Sequence, residues 1–323
     1  MAKFPFLISA LAVMFSPLLF IRGVEPTTFT IVNKCDYTVW PGILANAGEP
    51  ALSTTGFSLQ KGESRAISPP SGWGGRFWGR TRCTADSGSG KFSCLTGDCG
   101  SNKLECSGGG ATPPATLAEF KLDGDGGLDF FDVSLVDGYN LPMLVVPQGG
   151  SGANCTSTGC MADLIGTCPS ELRVTDAGES AGKGVACQSA CGAFQQPQYC
   201  CSGAYSSPQT CKPSRYSAAF KSACPDAYSY AYDDGTSTFT CANADYVITF
   251  CPAPTKSQKS ASSDQPPAES TSSSSAPPEI DSAMVYEGVM DISGASPSTR
   301  SGVSSSYAIS VLVVLIAAVR QLR

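Results

Sequence analysis

Sixteen cysteines and no histidine in a chain of 323 residues are the strongest constraint on what this sequence can become. In a reducing compartment such a set would suggest metal sites, whereas in a secreted chain it reads as disulfides. The missing histidine removes imidazole from metal ligation. It also removes every Ser-His-Asp or Cys-His nucleophile system. Acid–base chemistry, where there is any, falls to carboxylates, Lys or Tyr. No metal centre and no cofactor are expected.

The two ends of the chain decide the compartment. Lys3 gives a positive start, residues 4–21 are apolar apart from Ser9 and Ser16, and Gly23 is a small residue at a cleavage point. Residues 1–23 therefore read as a signal peptide, with Pro5 and Pro17 arguing against a permanent membrane helix. The thiols then meet an oxidising lumen, and eight disulfides are expected. Residues 307–319 form a second apolar run, shorter than the ~20 residues a spanning helix wants. Ahead of it lie a polar spacer at 296–306 and three small residues, Ser293, Gly294 and Ala295. Small site, spacer and tail make a GPI-attachment signal, with Ser293 or Gly294 as the attachment site and 294–323 as the removed propeptide. A short transmembrane anchor ending at Arg320 and Arg323 is the competing reading. Removing both ends takes away five basic residues and leaves 16 basic against 27 acidic groups, or −11. Such a surface argues against nucleic acid and anionic lipid as partners.

Between these ends the composition changes once. Residues 24–252 hold every cysteine and every Trp, enough chain for a real core. Residues 253–293 are Ser- and Pro-rich, with no apolar period, and read as a disordered stalk. The folded part reads mainly as β. Short β-branched and aromatic runs stand at 28–33, 37–40, 75–81, 116–122, 128–136 and 246–250, with Gly, Pro and Asp turns between them. The cysteine-rich stretch 155–211 has too little apolar matter for a core of its own and must be stapled. One short helix is expected around 180–194.

Alternation along the strands places the charges. In 128–136, Phe131, Val133 and Leu135 share an apolar face and Asp132 points the other way with Phe130 and Ser134. In 117–122, Ala118, Phe120 and Leu122 face the core and Glu119 lies opposite. In 75–82, Arg76, Trp78, Arg80 and Arg82 fall on one face. Asp137 and Gly138 signal a turn. Arg76, Glu119 and Asp132 can therefore meet on one sheet surface.

Eight segments carry a resemblance: TFTIVNKC at 28–35, WGRTRC at 78–83, GKFSCLTGDC at 90–99, PPATLAEF at 113–120, DFFDVSLVDGYNLPM at 129–143, QYCC at 198–201, CPDAYSY at 224–230 and TFCP at 249–252. With the order and number of the cysteines, they resemble the thaumatin-like proteins, the plant pathogenesis-related group 5 family. The loop at 100–105 departs from the family by a slightly greater length and a missing second glycine. Counting alone allows roughly two million pairings of the cysteines. The resemblance implies one: Cys35–Cys251, Cys83–Cys94, Cys99–Cys106, Cys155–Cys241, Cys160–Cys224, Cys168–Cys187, Cys191–Cys200 and Cys201–Cys211. It further implies a flattened antiparallel β-sandwich of about eleven strands with two disulfide-rich loop subdomains, at 83–106 and 155–211, and a cleft beside the larger one. The cleft would be lined by Arg76, Glu119, Asp132, Asp137 and Asp233, the last chosen over its neighbour Asp234. Phe130, Tyr139, Tyr230 and Tyr232 would offer aromatic faces to sugar rings.

The function that follows is an expectation. A monomer at the outer face of the plasma membrane would bind β-1,3-glucan or a related wall glycan through the acidic cleft, with antifungal action. Clustered carboxylates raise one another's pKa and an Arg lowers them. A weak endo-β-1,3-glucanase is thus the alternative, with Glu119 as general acid and Asp132 or Asp137 as its partner. An adhesion or signalling module with a protein partner is the third reading. Asn154 begins the one N-glycosylation sequon. The DGDGG run at 123–127 reads as a hairpin turn, since it lacks the later ligands of a calcium loop. Trp40, Trp73 and Trp78 read as packing residues.

Overall fold

The computed structural model describes residues 26–176 and 184–253. The signal peptide, the stalk beyond residue 253 and the attachment signal lie outside them. Thirteen strands follow one another among the described residues: β1 (Phe29–Asn33), β2 (Trp40–Ala45), β3 (Ser64–Ile67), β4 (Gly74–Ala85), β5 (Phe92–Thr96), β6 (Leu117–Lys121), β7 (Asp129–Ser134), β8 (Met143–Gln148), β9 (Thr158–Cys160), β10 (Arg173–Thr175), β11 (Gly184–Cys187), β12 (Phe239–Cys241) and β13 (Asp245–Phe250). Five short helices join them: α1 (Leu164–Thr167), α2 (Ala190–Phe194), α3 (Pro197–Cys200), α4 (Arg215–Ala223) and α5 (Asp234–Ser237).

Two sheets pack face to face. One runs β3-β1-β13-β8-β9, the other β12-β7-β6-β4-β2 with β5 paired to β4. They contain eleven strands between them, and β10 and β11 form a separate ribbon. The expected mainly β sandwich is present. Its pairings are antiparallel except that β1 lies parallel to β13, Phe29 opposite Tyr246. The period of two puts every second residue inside: β1 is alternately buried and half-buried, and β13 likewise. Phe29, Phe77, Phe120, Phe131 and Tyr246 meet there, with centroids 4.6 Å apart for Phe29–Phe120 and 5.0 Å for Phe131–Tyr246. Trp73 and Trp78 are fully buried, and Trp40 is edge-on to Phe92.

One hydrogen bond crosses between the sheets inside this core. Tyr246 on β13 donates its hydroxyl to Asp129 Oδ2 on β7 at 2.9 Å, and Asp129 Oδ1 accepts from the Asp123 amide. Tyr246→Phe leaves that buried oxygen without its donor. Such a loss costs about 1–3 kcal/mol, so the chemical-denaturation midpoint is expected to fall; an unchanged midpoint would show that the bond contributes nothing net.

Eight disulfides close the chain: Cys35–Cys251, Cys83–Cys94, Cys99–Cys106, Cys155–Cys241, Cys160–Cys224, Cys168–Cys187, Cys191–Cys200 and Cys201–Cys211. These are the pairs the resemblance implies. Cys35–Cys251 spans 216 residues and adds about 5 kcal/mol in the chain-entropy model.

Local structure departs from expectation in three places. The run at 37–40 is not a strand; β2 begins only at Trp40, because the chain bends through the Cys35 link and Val39 makes an isolated bridge to Leu59. Residues 180–183 of the helix expected around 180–194 lie outside the described residues; within the described part it begins at Ala190, where the Ser189 side chain caps it by accepting from the Gly192 amide. Residues 184–187 are instead strand β11, whose Val185, Ala186 and Cys187 are all buried. The longest helix, α4, was not expected. It carries a capping box in which Ser214 and Ser217 exchange bonds, with serine where Glu or Gln is the usual signal.

The small loop subdomain sits on the outer face of β4. Trp78, Leu117, Ala115, Cys99 and Cys106 form a second core there. Arg80 is fully buried in the same place. Its guanidinium donates to the carbonyls of Trp40 at 3.0 Å, Pro41 at 3.1 Å and Leu104 at 2.7 Å. It also lies over the Phe92 ring. The outer face of β4 is thus covered around Trp78 and Arg80, while Arg76 to one side is half-buried and Arg82 to the other is exposed.

Candidate functional site

Register builds the site. Arg76 on β4 stands directly opposite Glu119 on β6, and Glu119 directly opposite Asp132 on β7. Since side chains alternate, the core residues Phe77, Ala118, Phe120, Phe131 and Val133 leave these three on the other face. Strands about 4.8 Å apart then lay one cation and two carboxylates in a row roughly 10 Å long.

The row is poorly solvated and incompletely bonded. Arg76 and Glu119 are 19% and 17% exposed, with Nε and Oε1 3.7 Å apart. That is an ion pair without a hydrogen bond, and Arg76 Nε has no hydrogen-bond partner. Asp132 is buried, and its Oδ1 has no partner either. Burial pushes the Glu119 carboxyl up; Arg76 pulls it down and the charge of Asp137 adds to the rise, for a value of about 7. Asp132 is also held well above the usual carboxylate range. Burial is the main cause, the Glu119 and Asp234 charges add to it, and Arg76 opposes them. At neutral pH the row therefore holds protons as well as charge, as general-acid chemistry or hydrogen bonding to hydroxyls requires.

The remaining carboxylates come from loops. Asp137 occupies the turn after β7, where the Gly138 amide donates to Leu135 O. Gly138 has φ +89°, and a Cβ there would come within 2.6 Å of the Cys187 carbonyl. Glycine is therefore required to aim this turn at Glu119. Asp233 is tied elsewhere: its Oδ2 accepts from the Ser229 amide and hydroxyl, both at 2.9 Å, and pairs with Lys221 Nζ at 3.0 Å. Its neighbour Asp234, half of an ambiguous pair in the sequence, is the one whose charge acts on Asp132. Asp234 accepts from the Tyr228 hydroxyl at 2.8 Å, and that hydroxyl also contacts Thr238.

Sequence reading missed Lys221, Tyr228 and Thr238. The first comes from a helix without a clear sequence signature, and the others meet Asp234 only because the loop folds back on itself. Of the aromatic residues expected to face sugar, Phe130, Tyr230 and Tyr232 are half-buried. Tyr139 is not available. It is fully buried and donates its hydroxyl to Ala162 O, because it points into the core beside the Cys187 backbone. A small cavity adjoins the site on the cysteine-rich side, lined by Val136, Tyr199, Tyr216, Ser229 and Tyr230. The DGDGG run forms the turn from β6 to β7, with Asp123 Oδ2 accepting from Ser71 Oγ and the Gly72 amide.

Comparison with known proteins places these features in context. The family model described as "Thaumatin family" matches residues 33–252. Thaumatin-like protein 1 of Arabidopsis thaliana is 57% identical over 249 residues, covering 75% of this chain and 93% of that protein. Pathogenesis-related thaumatin-like protein 3.5 of Cryptomeria japonica is 59% identical over 227 residues, covering 70% and 90%. A PR5-like receptor kinase of Arabidopsis thaliana is 54% identical over 235 residues, which cover 72% of this chain but 35% of that protein.

Proposed function

Because the chain belongs to the thaumatin family, we propose that it is a defence- or wall-associated protein of the cell surface. Its acidic cleft would bind β-1,3-glucan or a related glycan, with antifungal action. The observation that carries this reading is the Arg76–Glu119–Asp132 row, in register on the sheet face away from the core, with Arg76 and Glu119 partly exposed and the Asp137 and Asp234 charges acting on it. Saccharide hydroxyls supply both acceptors and donors for the partly exposed Arg76 and Glu119 side chains, and the half-buried rings of Phe130, Tyr230 and Tyr232 suit the sugar's apolar faces. The domain would stand on the stalk, held by a GPI lipid at Ser293 or Gly294; release by a phosphatidylinositol-specific phospholipase tests that part.

The binding test pairs a glycan array with laminarin titration. The double variant Asp132→Asn/Asp137→Asn is expected to lose at least tenfold in laminarin affinity. Equal binding by wild type and variant would remove the cleft from the reading.

Hydrolysis is the second reading, and the Glu119 value of about 7 favours it, since a retained proton is what a glycosidic leaving group needs. Glu119→Gln would then abolish reducing-sugar release from laminarin while leaving binding largely intact. No reducing sugar from the wild type would end this reading. A surface signalling module is the third, supported by the receptor-kinase relative that carries a domain like this one in a longer chain.

A further inference from the structure

The sequon at 154–156 is chemistry that the cleft does not absorb. Asn154 is exposed in the segment between β8 and β9, and its Nδ2, the atom a glycan joins, donates to the Thr238 carbonyl at 2.9 Å. The backbone around it is closed as well. The Thr156 amide bonds to Asn154 O at 3.0 Å, and Ser151 and Ala242 exchange two hydrogen bonds, at 3.1 and 2.8 Å. Cys155, the middle residue of the sequon, is bonded to Cys241 with Cα atoms 4.6 Å apart. The Asn154 side chain and the Cys155 disulfide thus fasten the tripeptide to residues 238 and 241, and the Ser151–Ala242 bonds hold the chain just ahead of it.

From this arrangement we infer that Asn154 accepts an N-linked oligosaccharide only before the Cys155–Cys241 bond closes, so that oxidation and glycosylation compete for the same loop. In the transfer, Asn154 Nδ2 attacks the anomeric carbon of a lipid-pyrophosphate-linked oligosaccharide. The N–C bond forms as the C–O bond to pyrophosphate breaks, the electron pair leaves with the lipid pyrophosphate, and one amide proton passes to a base of the transferase. The nitrogen must leave Thr238 and the tripeptide must swing off β12 to reach that donor. The bonded Cys155 forbids this, because it holds the residue next to the acceptor on the sheet.

Chain order leaves a window. Cys241 follows Cys155 by 86 residues. At synthesis rates of about 5–20 residues per second the sequon waits roughly 4–17 s before its disulfide partner exists. The inference needs entry into an oxidising secretory compartment, which the eight disulfides support; it does not depend on glycan binding in the cleft. Its consequence is two forms of the protein. One of them carries a glycan beside Thr238, whose hydroxyl contacts Tyr228 at the rim of the carboxylate row.

The test is translation of the full chain with microsomes, reading occupancy by a peptide N-glycosidase gel shift and mass spectrometry of total product. Folding failure of a variant does not affect that reading. Cys241→Ser is expected to raise occupancy at least twofold over wild type, dithiothreitol to do the same to wild type, and Thr156→Ala to abolish the shift. Folded, oxidised, unglycosylated wild type offered to solubilised transferase and donor is expected to remain unmodified, while the reduced chain is modified. Equal occupancy in wild type and Cys241→Ser, no glycan in either, a shift that persists in Thr156→Ala, or transfer to the oxidised folded protein would each overturn the inference.

Discussion

Replacing Glu119 with Gln is expected to make the protein more stable at pH 8 than the wild type, by about 2–3 kcal/mol, and to make no difference at pH 4. The carboxyl's ordinary value of 4.5 is raised to about 7 in the fold, chiefly by burial. Below pH 4.5 the group is protonated folded or unfolded, so it has no effect on the balance. As pH rises through the window from 4.5 to 7, the unfolded chain ionises first and stability is lost. Above about 7 the loss is complete, because the folded protein must then hold a charge that its surroundings disfavour. Glutamine keeps the shape and never ionises. The check is chemical denaturation of both proteins at pH 4, 6 and 8 with disulfides intact. A variant that gains nothing at pH 8 would show that Arg76 fully compensates the charge. Asp132, also raised by burial, pulls wild-type stability in the same direction as pH rises.

The largest loss is expected at Arg80. Its guanidinium, brought down to about 10 by burial against the opposing charges of Asp98 and Glu105, supplies donors to three carbonyls, one buried and two part-buried. Arg80→Met fills much of the space but takes the guanidinium donors away from Trp40 O, Pro41 O and Leu104 O, of which Pro41 O keeps the Phe57 amide. Unpaired buried acceptors and a broken charged network cost about 3–5 kcal/mol together. Lysine is not a substitute, since one ammonium cannot span the positions that a planar fork reaches. Arg80→Lys is therefore expected to lose most of the same stability, and protease sensitivity should appear first in the Cys99–Cys106 loop. A thermal midpoint within a degree or two of wild type in both variants would refute this account.

Arg80 also marks where the sequence stopped being informative. Alternation along β4 correctly set it on the face of Arg76 and Trp78. Nothing in that period says that a loop twenty residues downstream folds over Trp78 and Arg80 and leaves Arg76 and Arg82 less covered on either side. The Arg76–Glu119–Asp132 row was legible for the opposite reason: each member is one step out of phase with a Phe, Val or Ala that must enter the core, so hydrophobic burial fixes where the charge points. Loop residues have no such partner. The choice between Asp233 and Asp234 rests on Lys221 and Ser229 engaging one and Tyr228 the other, contacts made only after the chain has turned back. Tyr139 failed by the same logic, because a tyrosine in a turn can serve either sugar or core. Strand β11 was hidden because Gly and Ala flank its one β-branched residue, Val185, in a segment whose burial depends on its neighbours.

The parallel pairing of the first and last strands has a mechanical meaning. Entry at residue 26 and exit at residue 253 lie at opposite ends of the β1–β13 pair, so tension applied to the two ends loads those hydrogen bonds in shear rather than peeling them one by one. The Cys35–Cys251 bond then carries the force past everything between. Only the residues outside that link, 26–34 and 252–253, can be drawn out; their whole contour is about 40 Å at 3.3–3.6 Å per residue, and β1 already lies extended along much of it, so the gain in length is a fraction of that. A chain of this length without the link would yield hundreds of ångströms. The folded part is therefore a nearly inextensible element: pulled at its ends, it transmits load without opening, for as long as one covalent bond stays oxidised.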